Sequence, residues 1–79
     1  MEINQRIREF IKTNGLKFTY VAKESNIDMK KFSRMMTGKQ KIDTDEYETI
    51  CSSLRVNPGY FFDQKLLENK NYENAKEVI

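Results

Sequence analysis

Residues 16–38 read LKFTYVAKESNIDMKKFSRMMTG, in the order of a short helix, a tight turn and a second helix. Ala22 supplies the small side chain that two helices need when they cross steeply over a turn of about three or four residues. Asn26 tolerates the left-handed backbone conformation better than most residues, and Ile27 follows it as an apolar anchor for the turn. The segment predicts one helix from Phe18 to about Ser25 and another from Met29 to about Met36.

The second of these helices has distinct inner and outer faces. Asp28 precedes it as an N-cap, whose carboxylate accepts hydrogen bonds from the first free amides, and Gly38 ends it. Its inner face is apolar, through Phe32, Met35 and Met36. The wedge between the two helices is expected to be filled by Val21, Ile27, Phe32 and Met35. Its outer face is basic or hydrogen-bonding apart from one methionine, and consists of Met29, Lys30, Lys31, Ser33 and Arg34.

Two further helices flank this segment. A helix from about Ile3 to Thr13 is predicted because Ile3, Ile7, Phe10 and Ile11 recur at helical spacing, and because Asn14-Gly15 favours a helix end. Asp43 and Glu46 have the spacing of a capping box. The helix that they begin is predicted from about Thr44 to Leu54, with an inner stripe of Tyr47, Ile50, Cys51 and Leu54.

A fifth, short helix is predicted after Pro58, because proline suits the first position of a helix. It holds three consecutive aromatic residues, Tyr60, Phe61 and Phe62. The predicted fold class is therefore all-α, a five-helix domain with a helix-turn-helix, over residues 1–67. Residues 68–79 are polar, and we expect a tail that frays or becomes weakly helical with a partner.

The composition argues against an enzyme. The 79 residues include one cysteine, Cys51, and no histidine, so neither an intramolecular disulfide nor a Cys/His zinc site can form. Cys51 lies on the inner stripe of its helix, where a thiol packs far more often than it attacks a substrate. Four acids crowd the start of the same helix, where they complement the helix dipole: Asp43, Asp45, Glu46 and Glu48. We expect no catalytic residue, no metal and no cofactor.

Hydropathy indicates a protein that stays in the cytoplasm. The mean hydropathy is -0.78, and the apolar runs are far shorter than the roughly 20 residues that span a bilayer. Residues 1–4 lack the basic region and the apolar stretch of a signal peptide.

The charge is concentrated in one segment. Residues 28–41 contain five basic residues and one acid, a net charge of +4, whereas the whole chain carries +2 and the remainder therefore -2. A local positive excess of this kind is typical of a surface that binds a polyanion, although a solvated charged face is an equal alternative on composition alone.

The order and spacing of these segments resemble a known family. Residues 16–22, 27–28 and 32–35, followed by Gly38 and Lys39, are similar to the phage lambda/434 repressor and Cro type of helix-turn-helix, the bacterial XRE group. Residues 50–57 and 59–62 resemble that family's fourth helix and the start of its fifth, so the resemblance covers about residues 3–67. It implies a sequence-specific DNA-binding regulator, bacterial or phage-encoded and located at the nucleoid.

The resemblance also implies roles for individual residues. The second helix of the motif would be the recognition helix, and the residues that face base edges would be Met29, Lys30, Lys31, Ser33 and Arg34. Contacts with DNA phosphates would come from the start of the first motif helix and from the segment after the recognition helix, through Lys17, Thr19, Lys39 and Lys41.

Three positions depart from the family pattern. Phe18 replaces a glutamine that often braces a phosphate contact at the start of the first motif helix. Asn26 replaces the usual glycine of the turn, at a modest cost. Arg55 replaces a common glycine after the fourth helix, so we expect that helix to end in a different way.

Dimerisation is expected after the fourth helix. Three consecutive aromatic residues cannot all point into so small a core, so at least one is expected to be exposed or covered by a partner. Members of the family commonly dimerise in this region, which implies a homodimer through Tyr60, Phe61, Phe62, Leu66 and Leu67. Such a dimer would match a palindromic operator with half-sites about one helical turn apart.

Two functions remain open at this point. A repressor that occludes its operator is favoured, because the sequence contains no second domain that could receive a ligand. The alternative is a protein-binding module, such as an antitoxin, an antirepressor or a regulator that acts on a protein partner. This alternative stays open because position 18 holds phenylalanine where the family often has glutamine, and because the tail is polar. Salt dependence separates the two, because binding to several phosphates weakens steeply as salt rises.

Overall fold

The computed structural model describes residues 2–62, which form four α-helices and one short 3-10 helix, without a strand. The helices are α1 (Ile3–Thr13), α2 (Phe18–Glu24), α3 (Met29–Met36) and α4 (Thr44–Leu54), and the 3-10 helix is Pro58–Phe61. The predicted limits of α1, α3 and α4 are confirmed, and α2 ends one residue earlier than predicted. The fifth helix is a single 3-10 turn within the described residues. Leu66, Leu67 and the polar tail lie outside them.

All five elements contribute to one core. Its buried members are Ile7 and Ile11 of α1, Val21 and Ala22 of α2, Phe32, Met35 and Met36 of α3, Ile50, Cys51 and Leu54 of α4, and Phe61 of the 3-10 helix. The structure thus confirms the inner faces predicted from helical spacing. Since α2 packs against both α3 and α4, the helix-turn-helix is held from behind by α4.

The four α-helices end in the same way. Each is followed by a residue with a left-handed backbone, namely Gly15, Asn26, Gly38 and Arg55. In each case the next amide donates to a carbonyl five residues back, as in the bonds Leu16 to Ile11 and Val56 to Cys51, at 2.9 and 3.0 Å between nitrogen and oxygen. This is the Schellman arrangement, which satisfies carbonyls that a helix end leaves free.

The expectation that α4 would end differently was therefore wrong. Arg55 has φ 61°, the left-handed conformation that glycine would adopt there. The hydrogen bonds of this helix end depend only on backbone atoms, so an arginine can make them. What changes is the steric cost of its Cβ, about 1–2 kcal/mol.

Replacing Arg55 by glycine is expected to raise the free energy of unfolding by about 0.5–1 kcal/mol, because the relief of strain exceeds the added entropy of the unfolded chain. Urea denaturation followed by circular dichroism measures this change. The matched control is Gly15→Ala, since no atom lies within 4 Å of the added Cβ and φ is +67°, so only backbone strain is introduced. It is expected to lower stability by a similar amount. A loss of stability in Arg55→Gly would contradict the interpretation.

Polar side chains of α1 fix the end of α3. Asn4 Nδ2 and Arg8 Nη1 both donate to the carbonyl oxygen of Met36, at 3.2 and 3.0 Å. Arg6 Nη1 donates to the carbonyl oxygen of Phe61 at 2.8 Å and so holds the 3-10 helix as well. Two arginines of α1 are thereby engaged within the fold.

Candidate nucleic-acid interface

The helix-turn-helix is a compact unit that α4 supports. The turn between α2 and α3 contains Asn26, whose φ of 57° is the predicted left-handed conformation. Ser25 is buried, and its hydroxyl donates to Oγ of Ser53 in α4 at 3.1 Å. This hydrogen bond ties the turn to α4, which lies behind it.

The start of α3 is capped as predicted. The Asp28 carboxylate accepts hydrogen bonds from the amides of Lys30 and Lys31, at 3.0 and 3.3 Å. These bonds satisfy amides that no helical carbonyl can reach.

The outer face of α3 is exposed while its inner face is fully buried. Met29, Lys30, Ser33 and Arg34 are exposed, whereas Phe32, Met35 and Met36 have 0% exposure. The exposed face thus presents two cationic side chains, one hydroxyl and one apolar side chain from a single short helix. These chemical groups match guanine acceptors, phosphates and the thymine methyl group.

Lys31 differs from the other members of this face because its charge is paired with a carboxylate of the same chain. Its Nζ forms an ion pair with Oε2 of Glu46, whose side chain is only 16% exposed. The Glu46 side chain raises the pKa of Lys31, mainly through a hydrogen bond, and the Lys31 hydrogen bond lowers the pKa of Glu46. The second Glu46 oxygen accepts a bond from the Asp43 amide at 3.1 Å, in the predicted capping box. One carboxylate thus starts α4 and anchors α3.

Acid is expected to weaken the ion pair between Lys31 and Glu46, which links α3 to α4. Because the pKa of Glu46 is lower in the folded chain than its ordinary value of 4.5, this group stabilises the fold above that value. Its contribution is lost as the pH falls through the lowered pKa. Thermal unfolding at pH 7 and pH 3 measures the loss. The unfolding temperature of Glu46→Gln should fall less between pH 7 and pH 3 than that of the unaltered chain. Equal falls in both would show that Glu46 is not the group responsible.

Gln40 holds Arg34, a contact that the sequence did not reveal. Arg34 Nε donates to Oε1 of Gln40 at 2.8 Å. The amides of Lys39 and Gln40 both donate to the carbonyl oxygen of Arg34, at 2.9 and 3.2 Å. The segment after α3 is thereby folded back onto Arg34, which carries the largest basic group of the outer face.

The predicted phosphate contacts lie on either side of α3 in the sequence. Lys17 precedes the first residue of α2, and Thr19 lies in its first turn. Lys39 and Lys41 belong to the segment that follows α3. All four residues are exposed.

Comparison with known families gives the identification. The model of the Cro/C1-type HTH DNA-binding domain matches residues 6–63, most of the chain. This chain belongs to the Cro/C1-type helix-turn-helix DNA-binding family. No curated protein and no solved structure was found to match it. The resemblance inferred from the sequence is thus confirmed, and this Cro/C1-type domain has DNA as a partner.

Phe18, at the first position of α2, contributes to the packing of this Cro/C1-type domain. Phe18 is half-buried, and its ring packs edge-on against Phe32 with 6.0 Å between centroids and 67° between planes. An apolar side chain at this position braces α2 against α3 from within.

The three consecutive aromatic residues of this Cro/C1-type domain lie in different surroundings. Phe61 is 3% exposed and packs edge-on against Phe10, whereas Tyr60 and Phe62 are 52% and 48% exposed. The expectation that at least one would be exposed is confirmed. Phe61 belongs to the core of its own chain, so of these three consecutive residues Tyr60 and Phe62 remain interface candidates. Leu66 and Leu67 lie outside the described residues.

Cys51 of the Cro/C1-type domain is 1% exposed, and burial raises the pKa of its thiol, as expected of a packing residue. In residues 2–62, no helix is long and apolar enough to cross a membrane.

Proposed function

We propose that this chain is a sequence-specific transcriptional repressor that places α3 in the major groove of its operator. The observation that carries the proposal is the exposed outer face of α3, whose cations and hydrogen-bonding groups stand on a helix with a fully buried inner face. A rigid helix with one polar face and one core face is what direct readout of base edges requires.

Each residue of this face has a proposed contact. Lys30 and Arg34 bind guanine acceptors or neighbouring phosphates, Ser33 donates or accepts one hydrogen bond, and Met29 packs on a thymine methyl group. Lys31 was predicted to contact bases as well, and its ion pair with Glu46 competes with that role. Lys17, Thr19, Lys39 and Lys41 hold the phosphates of the two flanking strands.

A dimer would give the protein a two-fold symmetry that matches a palindromic operator. Tyr60 lies in the 3-10 helix and Phe62 directly after it, and both are large exposed aromatic side chains, which favours a contact between two copies. Leu66 and Leu67 extend this proposed interface, within a domain of residues 1–67 that precedes a polar tail. Two copies related by a two-fold axis would bind a palindrome with half-sites about one helical turn apart. Sedimentation equilibrium over a range of concentrations tests the dimer, and a constant monomer mass would exclude it.

Repression follows from occupation of the groove. A dimer bound across a promoter excludes the polymerase from the same DNA, without any enzymatic step. The proposed setting is the cytoplasm of a bacterium, with the protein encoded by the host or by a phage.

A protein-binding module is the second candidate. An open groove of about 510 Å³ lies beside Phe62 and is partly lined by Ile3, Ile42 and Tyr47. Together with the inward position of Phe18, this groove favours a contact with a protein. Such a contact would depend little on salt.

The test is selection of bound sequences from random DNA, followed by affinity measurements at several salt concentrations. The intact chain is compared with a Lys30→Ala, Arg34→Ala double variant. Enrichment of a palindromic motif that the double variant does not enrich supports the repressor. Absence of any motif, with weak retention that salt abolishes, would refute sequence-specific readout and favour the protein-binding module.

A further inference from the structure

Gln40 is placed to control how Arg34 meets a base. It follows α3 beyond the left-handed turn at Gly38, where φ is 81°. Its backbone amide donates to the Arg34 carbonyl oxygen, and its side-chain oxygen accepts from Arg34 Nε. Two bonds from one residue thus fix both the backbone and the side chain of Arg34, and Gln40 itself is half-buried.

This contact selects one edge of the guanidinium group. Arginine presents five N–H donors in a planar fork. With Nε engaged by Gln40, the two Nη nitrogens at the end of the fork are the donors that remain, and neither donates a hydrogen bond within residues 2–62. Two donors at this spacing match O6 and N7 of guanine.

The neutral side chain of Gln40 leaves the charge of Arg34 unchanged. The Gln40 amide is neutral, so it orients Arg34 without cancelling its positive charge. Lys31 on the same helix is instead paired with the carboxylate of Glu46. Arg34 and Lys31 both have a partner within the chain, but the partner of Arg34 is neutral. The positive charge of Arg34 is therefore not offset and can attract DNA.

We infer that Gln40 is a specificity-determining residue, which fixes the plane of the Arg34 guanidinium so that Arg34 prefers guanine at one position of each half-site. The inference rests on the proposed function of α3 as the recognition helix. Holding a flexible side chain in its bound conformation before binding strengthens binding by about 3- to 10-fold, because less conformational entropy is lost on association.

The experiment compares the intact chain with Gln40→Met, which has a similar length and no acceptor. Selection from random DNA and affinities for the selected operator are measured for both. Gln40→Met is expected to bind about 3- to 10-fold more weakly. It should lose its preference at one base pair of each half-site and keep the others. In an Arg34→Ala background, the same substitution should have no further effect on affinity or preference.

The outcomes separate this inference from the function on which it rests. If the intact chain selects a motif and Gln40→Met selects the same one, the inference is refuted and the proposed function stands. An equal loss for all sequences, or an equal loss in the Arg34→Ala background, assigns Gln40 to stability alone and also refutes it. If the intact chain selects no motif, the proposed function fails and the inference fails with it.

Discussion

Replacing Arg34 by alanine is expected to lower affinity for the selected operator by about 30-fold or more, with little change in thermal unfolding. The side chain is exposed, and its one bond within the described residues is to Gln40, so its removal leaves the core intact. A bidentate contact with guanine is worth about 1–3 kcal/mol, and a symmetric dimer makes it twice. Fluorescence anisotropy with operator and scrambled duplexes measures both affinities.

The specific prediction is a loss of discrimination. Affinity for the operator should fall more than affinity for the scrambled duplex, because phosphates attract any cation whereas base edges reward only a correctly placed donor. Equal losses on the two duplexes would show that Arg34 contacts phosphates rather than bases.

Lys31→Ala is the matched control on the same helix. Lys31 is held by Glu46, so its loss should change operator affinity much less than the loss of Arg34 and leave the salt dependence unaltered. If Lys30 binds a phosphate, Lys30→Ala should reduce the slope of log affinity against log salt concentration by about one for each copy of the chain. A large effect of Lys31→Ala would mean that Lys31 leaves Glu46 when DNA binds.

Replacing Phe32 by alanine is expected to remove a large part of the free energy of unfolding of the protein. Phe32 is the largest of the fully buried side chains, and it lies on the inner face of α3 against Phe18. The truncation costs about 3–5 kcal/mol. The whole chain is expected to have only about 4–12 kcal/mol of stability, at roughly 0.05–0.15 kcal/mol for each residue.

Thermal unfolding followed by circular dichroism measures this loss. The midpoint should fall by about 15 °C or more, since 1 kcal/mol shifts it by about 4–8 °C in a domain of this size. Phe62→Ala is the control, because Phe62 is 48% exposed and its truncation leaves no cavity in the core. A small shift for Phe32→Ala would mean that the core collapses around the missing ring.

The sequence revealed the helices because their limits depend on neighbouring residues. The cap at Asp28 and the glycine ends at Gly15 and Gly38 act over a few positions, so they can be identified without knowledge of the fold. The same holds for the inner faces, which follow from helical spacing. Arg55 was misjudged because no local signal marks an arginine in the left-handed conformation.

The partners of the basic residues could not be predicted in this way. Lys31 meets Glu46 only because α4 packs behind the helix-turn-helix, and Gln40 meets Arg34 only after the chain reverses at Gly38. Both pairings depend on angles between elements, which spacing along the chain does not encode. Similarly, Phe61 could not be distinguished from Phe62, since adjacent aromatic residues carry no periodicity.

The shared Schellman ends of the four helices bear on how fast the chain folds. Each of these closures joins residues at most five positions apart, so a helix and the turn after it can form without waiting for distant segments. Small helical domains dominated by such local contacts typically fold in microseconds to milliseconds, since little loop-closure entropy is lost before favourable contacts form. A domain that reaches its fold this quickly spends little time with its apolar helix faces exposed, which limits aggregation while the chain is being synthesised.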